Sequence, residues 1–211
     1  MNSKTIQFYN ENAAFYDQEQ GDFGFVRIPE REIALNRIKK ITDKSLSVLE
    51  IGAGTGRYTL EIAPLVKQVT AIDISQGMLD CLFQKVASQG ISNVKLLCEN
   101  FLEMPFEEKF DLIVSFSAIE YLKDDQALFA KISNLLVPGG HLIITTTHNT
   151  FFRWWGRMGN YFRQGIYMNA YSKRKMRRLL SSNGLIPVEL TDLCLKSIFS
   201  KGILLFVHAK K

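Results

Sequence analysis

Five short apolar runs, each followed by a longer amphipathic stretch, set the strongest limit on how this chain can fold. The runs fall at about 47–51, 69–74, 94–98, 110–116 and 141–147. Segments such as Leu112-Ile113-Val114 have no polar face, as strands covered on both sides require. Helical patterns at 57–66, 76–89 and 124–136 fill the intervals, and Val137-Pro138-Gly139-Gly140 breaks the last of them before the fifth strand. Strand–helix–strand alternation at this spacing implies right-handed crossovers, hence a parallel sheet with helices on both faces. The end of the chain departs from this rule. Residues 185–195 and 202–209 are two β-rich runs joined by a short link, which predicts a closing antiparallel hairpin. The first forty-odd residues read as helical and lie outside the alternation. The expected class is α/β: a doubly wound sheet, mostly parallel, with an antiparallel C-terminal hairpin strand.

In such sheets ligands bind outside the carboxyl ends of the strands. The first strand runs there into Glu50-Ile51-Gly52-Ala53-Gly54-Thr55-Gly56-Arg57, and Asp73 stands at the tip of the second. Glycines let the backbone turn sharply and let a ligand approach with no Cβ in the way. A carboxylate at Asp73 can accept both hydrogen bonds of a ribose diol, so the pair points to an adenosine-type ligand. The dinucleotide fingerprint spaces its glycines G-x-G-x-x-G under a pyrophosphate. Here the spacing is G-x-G-x-G, and Glu50 precedes it. A carboxylate is a poor neighbour for a pyrophosphate and a good one for an ammonium group. No GxxxxGK phosphate loop occurs in the sequence either. S-adenosylmethionine, with an ammonium, a sulfonium, one ribose and no phosphate, fits this loop.

These residues resemble those of class I S-adenosylmethionine-dependent methyltransferases, whose fold is a Rossmann-like doubly wound sheet. The matching segments are VLEIGAGTGRYT (48–59), TAIDIS (70–75), ENFLEMPF (99–106), FDLIVSFSAIEYL (110–122) and LLVPGGHLIITT (135–146). The resemblance implies that Gly52, Ala53, Gly54 and Gly56 form the loop under the methionine part and that Glu50 orients it. It implies that Asp73 takes the ribose hydroxyls and Ile74 packs on the adenine. Asn100 stands where the family usually has Asp, and its amide oxygen can still accept from the adenine amino group. Phe101 would flank the ring, and Ser115, Phe116 and Ser117 would line the methyl-donating end. Relatives that modify hydroxylated quinone precursors often carry Glu-His where this chain has Glu120-Tyr121; Glu120 reads equally as a solvated helix-start residue.

Methyl transfer needs a positioned nucleophile and sometimes a base. His148 follows Ile143-Ile144-Thr145-Thr146-Thr147 at the carboxyl end of the fifth strand and is the candidate base; a solvated loop histidine is the alternative. Tyr9 is a second catalytic candidate. With Tyr16 it would belong to an N-terminal lid, or else pack on the sheet, and Arg27 would meet the methionine carboxylate. With only Cys81, Cys98 and Cys194 and no CxxC pair, no disulfide framework, zinc site or other metal centre is expected, and a reducing cytoplasm is the simplest setting.

Charge is unevenly spread. The net +5 conceals a stretch from Gln126 to Val188 with nine Lys or Arg and no acid, set in a remainder of net −4. Within it, Phe151, Phe152, Trp154, Trp155, Met158, Tyr161 and Phe162 alternate with arginines. Wound as a helix at about 100° per residue, the segment puts most of its aromatics on one face and Arg153 and Arg157 on the other. This is the composition of a helix at a membrane interface or over a lipid-like substrate. No apolar run approaches the ~20 residues of a membrane span, and the N-terminus has no apolar core, so no secretory leader is expected. One methyltransferase domain over 1–211 is therefore expected. It divides into a helical lid (1–45), a cofactor-binding core (46–147), an aromatic basic insertion (148–170) and a closing helix and hairpin (171–211). It would methylate a small, lipophilic or membrane-associated acceptor in the cytoplasm, peripheral on the inner membrane face, with an anionic membrane surface meeting 151–178. The alternatives are a nucleic-acid methyltransferase, or a cofactor-binding scaffold that needs a partner. Against nucleic acid as partner, Ser115-Phe116-Ser117-Ala118 replaces the Asn/Asp-Pro-Pro-aromatic motif of nucleobase amine methylators.

Overall fold

Strands buried on both faces dictate a sheet with two cores, and the chain builds one on each side. The computed structural model describes residues 3–18, 24–149, 158–159, 161–162, 165–193 and 203–211. Its strands are β1 (Ser47–Ile51), β2 (Gln68–Asp73), β3 (Val94–Cys98), β4 (Phe110–Phe116), β5 (Leu136–Thr147), β6 (Ile186–Leu193) and β7 (Leu204–Lys210). They form one sheet in the order β3-β2-β1-β4-β5-β7-β6. The first five run parallel, and β7 is antiparallel to both β5 and β6. The helices are α1 (Ser3–Asn12), α2 (Gly24–Lys39), α3 (Thr59–Ile62), α4 (Gln76–Ser88), α5 (Asp125–Leu135) and α6 (Lys173–Ser182).

The period-two alternation of strand side chains sorts the apolar residues into these cores. Val48, Leu112, Val114 and Ile143 face one side, where α2 contributes Ala34, Leu35 and Ile38 and α4 contributes Leu79, Leu82 and Val86. Leu49, Ile51, Ile113 and Ile144 face the other, under Leu128, Phe129 and Ile132 of α5 and Met176, Leu179 and Leu180 of α6. Each fully buried side chain of this size contributes about 1.5–3 kcal/mol. Side-chain caps fix three helix starts: Ser75 accepts from Met78 N–H, Asp124 from Ala127 N–H, and Ser172 from Lys175 N–H.

Two elements differ from the sequence expectation. Only 59–62 of the expected helix at 57–66 is α-helical, because Ala63–Leu65 tightens into a 3₁₀ turn around Pro64, which has no N–H to donate. β5 starts at Leu136 rather than His141. Leu136 already pairs with Phe110, the Pro-Gly-Gly irregularity is taken up by a register shift, and Gly139 N–H donates to the Lys211 carbonyl at 3.0 Å. The closing hairpin is present as β6 and β7; its link, with Cys194, lies outside the described residues. So does most of the aromatic stretch 151–163, where only 158–159 and 161–162 are described, with Tyr161 and Phe162 largely exposed. Among the described residues no helix is long and apolar enough to cross a membrane.

Gly56 shows how closely the first turn is packed. Its φ is +88°, and a Cβ there would come within 2.2 Å of Leu82 Cδ1 in the core beneath α4. Gly56→Ala should therefore destabilise the protein by roughly 2–3 kcal/mol, through overpacking and left-handed strain together. A urea midpoint within error of wild type would contradict this packing.

Candidate functional site

At the carboxyl edge of the parallel strands, the loops after β1, β2, β3 and β4 surround two adjoining cavities. Both are lined by Tyr16, Gly52, Gly54, Phe116 and Ser117. The first extends past Asp73, Ile74, Asn100 and Phe101 to Tyr9 and Tyr121. The second lies under the glycine loop and is walled by Glu50, Ala53, Tyr58, Arg27 and Glu30. Backbone conformation sets this shape. Gly52 has φ +72° and lies so close to the loop after β4 that a Cβ would sit 2.2 Å from that of Ala118.

Asp73 ties the rim together. Its Oδ2 accepts from Gly54 N–H at 2.8 Å and its Oδ1 from Ser75 N–H at 2.9 Å. Burial pushes its pKa upward against these hydrogen bonds. Each oxygen retains acceptor capacity towards the cavity. Asn100 closes a turn, with Oδ1 accepting from Leu102 N–H and Nδ2 donating to Glu103. Phe101 is buried, with the Lys131 ammonium 5.1 Å from its ring centroid.

Glu50 is 1% exposed and accepts from Thr59 Oγ1 at 2.6 Å. Burial, the largest influence, pushes its carboxyl up to about 8. Beside it, Tyr58 is buried and stacks on Phe116 with ring centroids 3.7 Å apart. The Tyr58 hydroxyl has no hydrogen-bond partner among the described residues. Arg27 Nη1 donates to Glu30 Oε2 at 2.7 Å and to Ser117 Oγ at 2.8 Å. Glu30, itself 1% exposed, also accepts from Ser117 Oγ at 3.0 Å and from Thr145 Oγ1.

Three tyrosines and the N-terminal segment cover the first cavity. Tyr9 O–H donates to Tyr121 Oη at 2.7 Å, and the Tyr9 ring meets those of Tyr121 and Tyr16 edge to face. Burial raises the pKa of both Tyr9 and Tyr121, so each stays protonated at neutral pH. Asn10 Oδ1 accepts from Ser75 Oγ and Gly77 N–H, and Asp17 accepts from Thr55 Oγ1 and Lys85. Behind Tyr121, Glu120 is buried rather than solvated. Thr146 and Thr147 hydroxyls donate to it at 3.0 and 3.1 Å, and burial raises its pKa.

The structure thus brings most of the sequence candidates to one place, with three exceptions. Ser115 lies behind the cavity wall, where its hydroxyl donates to the Ile51 carbonyl at 2.8 Å between β4 and β1. Gly56 is absent from both linings because it packs on α4. His148 is absent too: its backbone continues alongside β7, donating to the Ile203 carbonyl, and its Nδ1 is 3.7 Å from Asp192 Oδ1 of β6. Its position gives it Asp192, not the cavity, as neighbour. Sequence reasoning missed Glu30, Tyr58 and the cavity-lining role of Tyr121. Only Tyr58, two residues after the last loop glycine, had a positional signal.

Residues 48–140 match a family model described as a methyltransferase domain. The match covers less than half of the chain and marks this stretch as similar to methyltransferase domains. The chain is similar to a malonyl-acyl carrier protein O-methyltransferase of Priestia megaterium, 29% identical over 113 residues that cover 53% of this chain and 40% of that protein. It is also similar to nodulation protein S of Sinorhizobium fredii, 26% identical over 132 residues covering 61% and 60%. The matched part thus spans less than two thirds of these curated relatives. In fold, the chain resembles the N-methyltransferase NodS from Bradyrhizobium japonicum WM9, solved in complex with S-adenosyl-L-homocysteine. The TM-score is 0.78 at 23% identity, over 99% of each chain.

Burial gives the Glu50 carboxyl a pH dependence that bears on stability. It stays neutral in the folded protein up to about 8 but ionises above about 4.5 when unfolded. Its contribution to stability is therefore full below about 4.5 and is lost as pH rises through about 8. In urea melts at pH 5 and pH 8, Glu50→Gln should remove part of the wild-type decline. An unchanged decline would mean that Glu50 is ionised throughout.

Proposed function

We propose that this chain transfers a methyl group from S-adenosylmethionine to a small acceptor, and that the paired cavities hold the donor. The observation that carries this reading is the donor set. A half-buried carboxylate, Asp73, stands at the end of the half walled by Ile74, Met78 and Phe101, and a second acid, Glu50, stands in the half under the glycine loop. This asymmetry suits a ribose and adenine on one side and a charged amino-acid tail on the other. Asp73 would accept from the ribose hydroxyls, Ile74 and Phe101 would hold the adenine, and Asn100 would meet its amino group. Glu50 would pair with the ammonium, and Gly52, Ala53 and Gly54 would let the tail lie against backbone.

Bound there, S-adenosylmethionine supplies an electrophilic methyl group on a sulfonium. The chain's own task is to align the acceptor and keep water out. Residues 1–45 would serve as the lid, with Tyr9 and Tyr16 over the cofactor. Protonated Tyr9 and Tyr121 serve as donors and walls beside the acceptor, and no general base is assigned to them or to His148.

For the acceptor we favour a lipophilic or membrane-associated molecule, with the enzyme in the cytoplasm and peripheral on the inner membrane face. Support comes from the seven large apolar side chains between 151 and 162, the exposed Tyr161 and Phe162, and Arg174, Arg177 and Arg178 on α6. Cations near an anionic bilayer add about 1 kcal/mol each.

Calorimetry with S-adenosyl-L-homocysteine should show binding that Asp73→Ala weakens about tenfold or more, as expected for lost hydrogen bonds to a charged acceptor. Equal binding by the variant would remove the ribose assignment. For the acceptor side, wild type should cosediment with phosphatidylcholine vesicles containing phosphatidylglycerol more than with phosphatidylcholine alone. The Trp154→Ala/Trp155→Ala variant should lose most of that association. If wild type ignores both vesicle types, the membrane contact is wrong.

A further inference from the structure

Two histidines meet on the side of the sheet that α2 covers. His208 of β7 stands opposite Ile143 of β5, and His141 lies two residues before Ile143, on the face shared with the α2 core. Their rings stack at 25° with centroids 5.1 Å apart, and His141 Nδ1 is 2.8 Å from His208 Nε2. Two nitrogens this close cannot both carry protons, so one donates and the other is bare. His208 is 4% exposed, and its Nδ1 has no hydrogen-bond partner among the described residues. If His141 donated, a neutral His208 would carry its proton on that Nδ1. A buried N–H without an acceptor is the costlier orphan. The pair avoids it when His208 Nε2–H donates to His141 Nδ1 and His208 Nδ1 stays bare.

The charges around the pair favour this neutral form. From α2, Arg37 Nη2 donates to Glu189 of β6, the residue opposite His208 in the sheet. Lys210 of β7 stands opposite His141. Burial above all, then His141 and Arg37, holds the His208 imidazole down at about 4, and burial with Lys210 lowers His141. Glu189 acts the other way, but both its oxygens are taken. Oε2 accepts from Arg37, and Oε1 accepts from Thr191 Oγ1 at 3.0 Å. A proton gained by His208 therefore sets a second cation in competition with Arg37 for one carboxylate. A further proton on His141 Nδ1 would break the bond between the rings.

We propose that the His141–His208 pair is an acid-sensitive latch on α2: proton uptake by the pair frees Arg37 from Glu189 and loosens the helix from the sheet. The other end of α2 carries Arg27 and Glu30 into the cavity under the glycine loop. The latch thus acts on a wall of that cavity from the far end of the helix. His208 stays neutral in the folded protein down to about 4 but takes up a proton below 6.5 when unfolded. The stabilisation is therefore full above 6.5 and is lost as pH falls through about 4. Glu50 works in the opposite sense, so variants of the pair are needed to separate the two.

Urea titrations of wild type and His208→Gln at pH 7 and pH 5 test the latch. Glutamine keeps an N–H where Nε2–H stood and does not titrate, while Glu50 is common to both proteins. The ratio of wild-type to variant folding constants should fall about tenfold from pH 7 to pH 5. An equal decline in both proteins would overturn the proposal. Should the variant not fold, the imidazole nitrogens of wild type report directly by NMR. His208 should show the Nε2–H tautomer and a midpoint well below 6.5, and Arg37→Gln, which loses only the charge, should raise that midpoint. A wild-type midpoint near 6.5, or one that Arg37→Gln leaves in place, would overturn it equally. Amide exchange corrected for intrinsic rates should quicken in α2 relative to α5 between pH 7 and pH 5. Protection that changes alike in both helices would remove the release of α2.

Discussion

Two backbone N–H groups converging on Asp73 join the loop after β1 to the start of α4. One comes from Gly54 and the other from Ser75. The side chain of that same Ser75 caps α4 and donates to Asn10 of α1. A single half-buried carboxylate thus links the glycine loop, a helix start and, through Ser75, the N-terminal cover. Without it, the Gly54 and Ser75 amides would lose their acceptor at the cavity rim. The strands beneath provide the rigidity that makes this junction reproducible, since β1 and β2 are fully paired and buried on both faces. Hydrogen bonds from Gly52 and Ala53 N–H to the Ile72 carbonyl extend that pairing into the loop itself.

Around this junction the cavity is electrostatically divided. Glu50 is held towards its neutral form by burial, whereas Glu30 is matched by Arg27 and by two hydroxyls. One acid accepts from a hydroxyl, while the other has already spent its charge on positioning a cation. The tyrosines over the first cavity add donors without adding charge. Such a site can recognise a ligand that carries both signs without holding a large uncompensated field when empty.

Strand positions and the order of elements are legible in the sequence because two-sided burial leaves an apolar run with no polar alternation, as in Leu112-Ile113-Val114. The loop and Asp73 are legible because their chemistry is local: glycines, an acid and a strand end within two dozen residues. Glu30 is not, because its burial depends on Ser117 and Thr145, 87 and 115 residues away in the chain. In sequence it is one more charged residue in a helix with a charged face. His148 illustrates the opposite case. Its place at a strand end is legible, but the neighbours of its side chain depend on β6, which joins the sheet by pairing antiparallel with β7. Glu120 likewise reads as a solvated helix start until Thr146 and Thr147 of β5 are seen to enclose it.

The N-terminal cover is fastened in an unusual manner for a segment over a ligand cavity. Within α1 and the 3₁₀ turn after it, only Thr5 and Ala13 are fully buried, and the fastenings are polar: Asn10 to Ser75 and Gly77, Asp17 to Thr55 and Lys85, Tyr9 to Tyr121. Lifting it would exchange these protein hydrogen bonds for bonds to water while both cores beneath stay packed. Such an opening would be a local event, thermodynamically separate from unfolding.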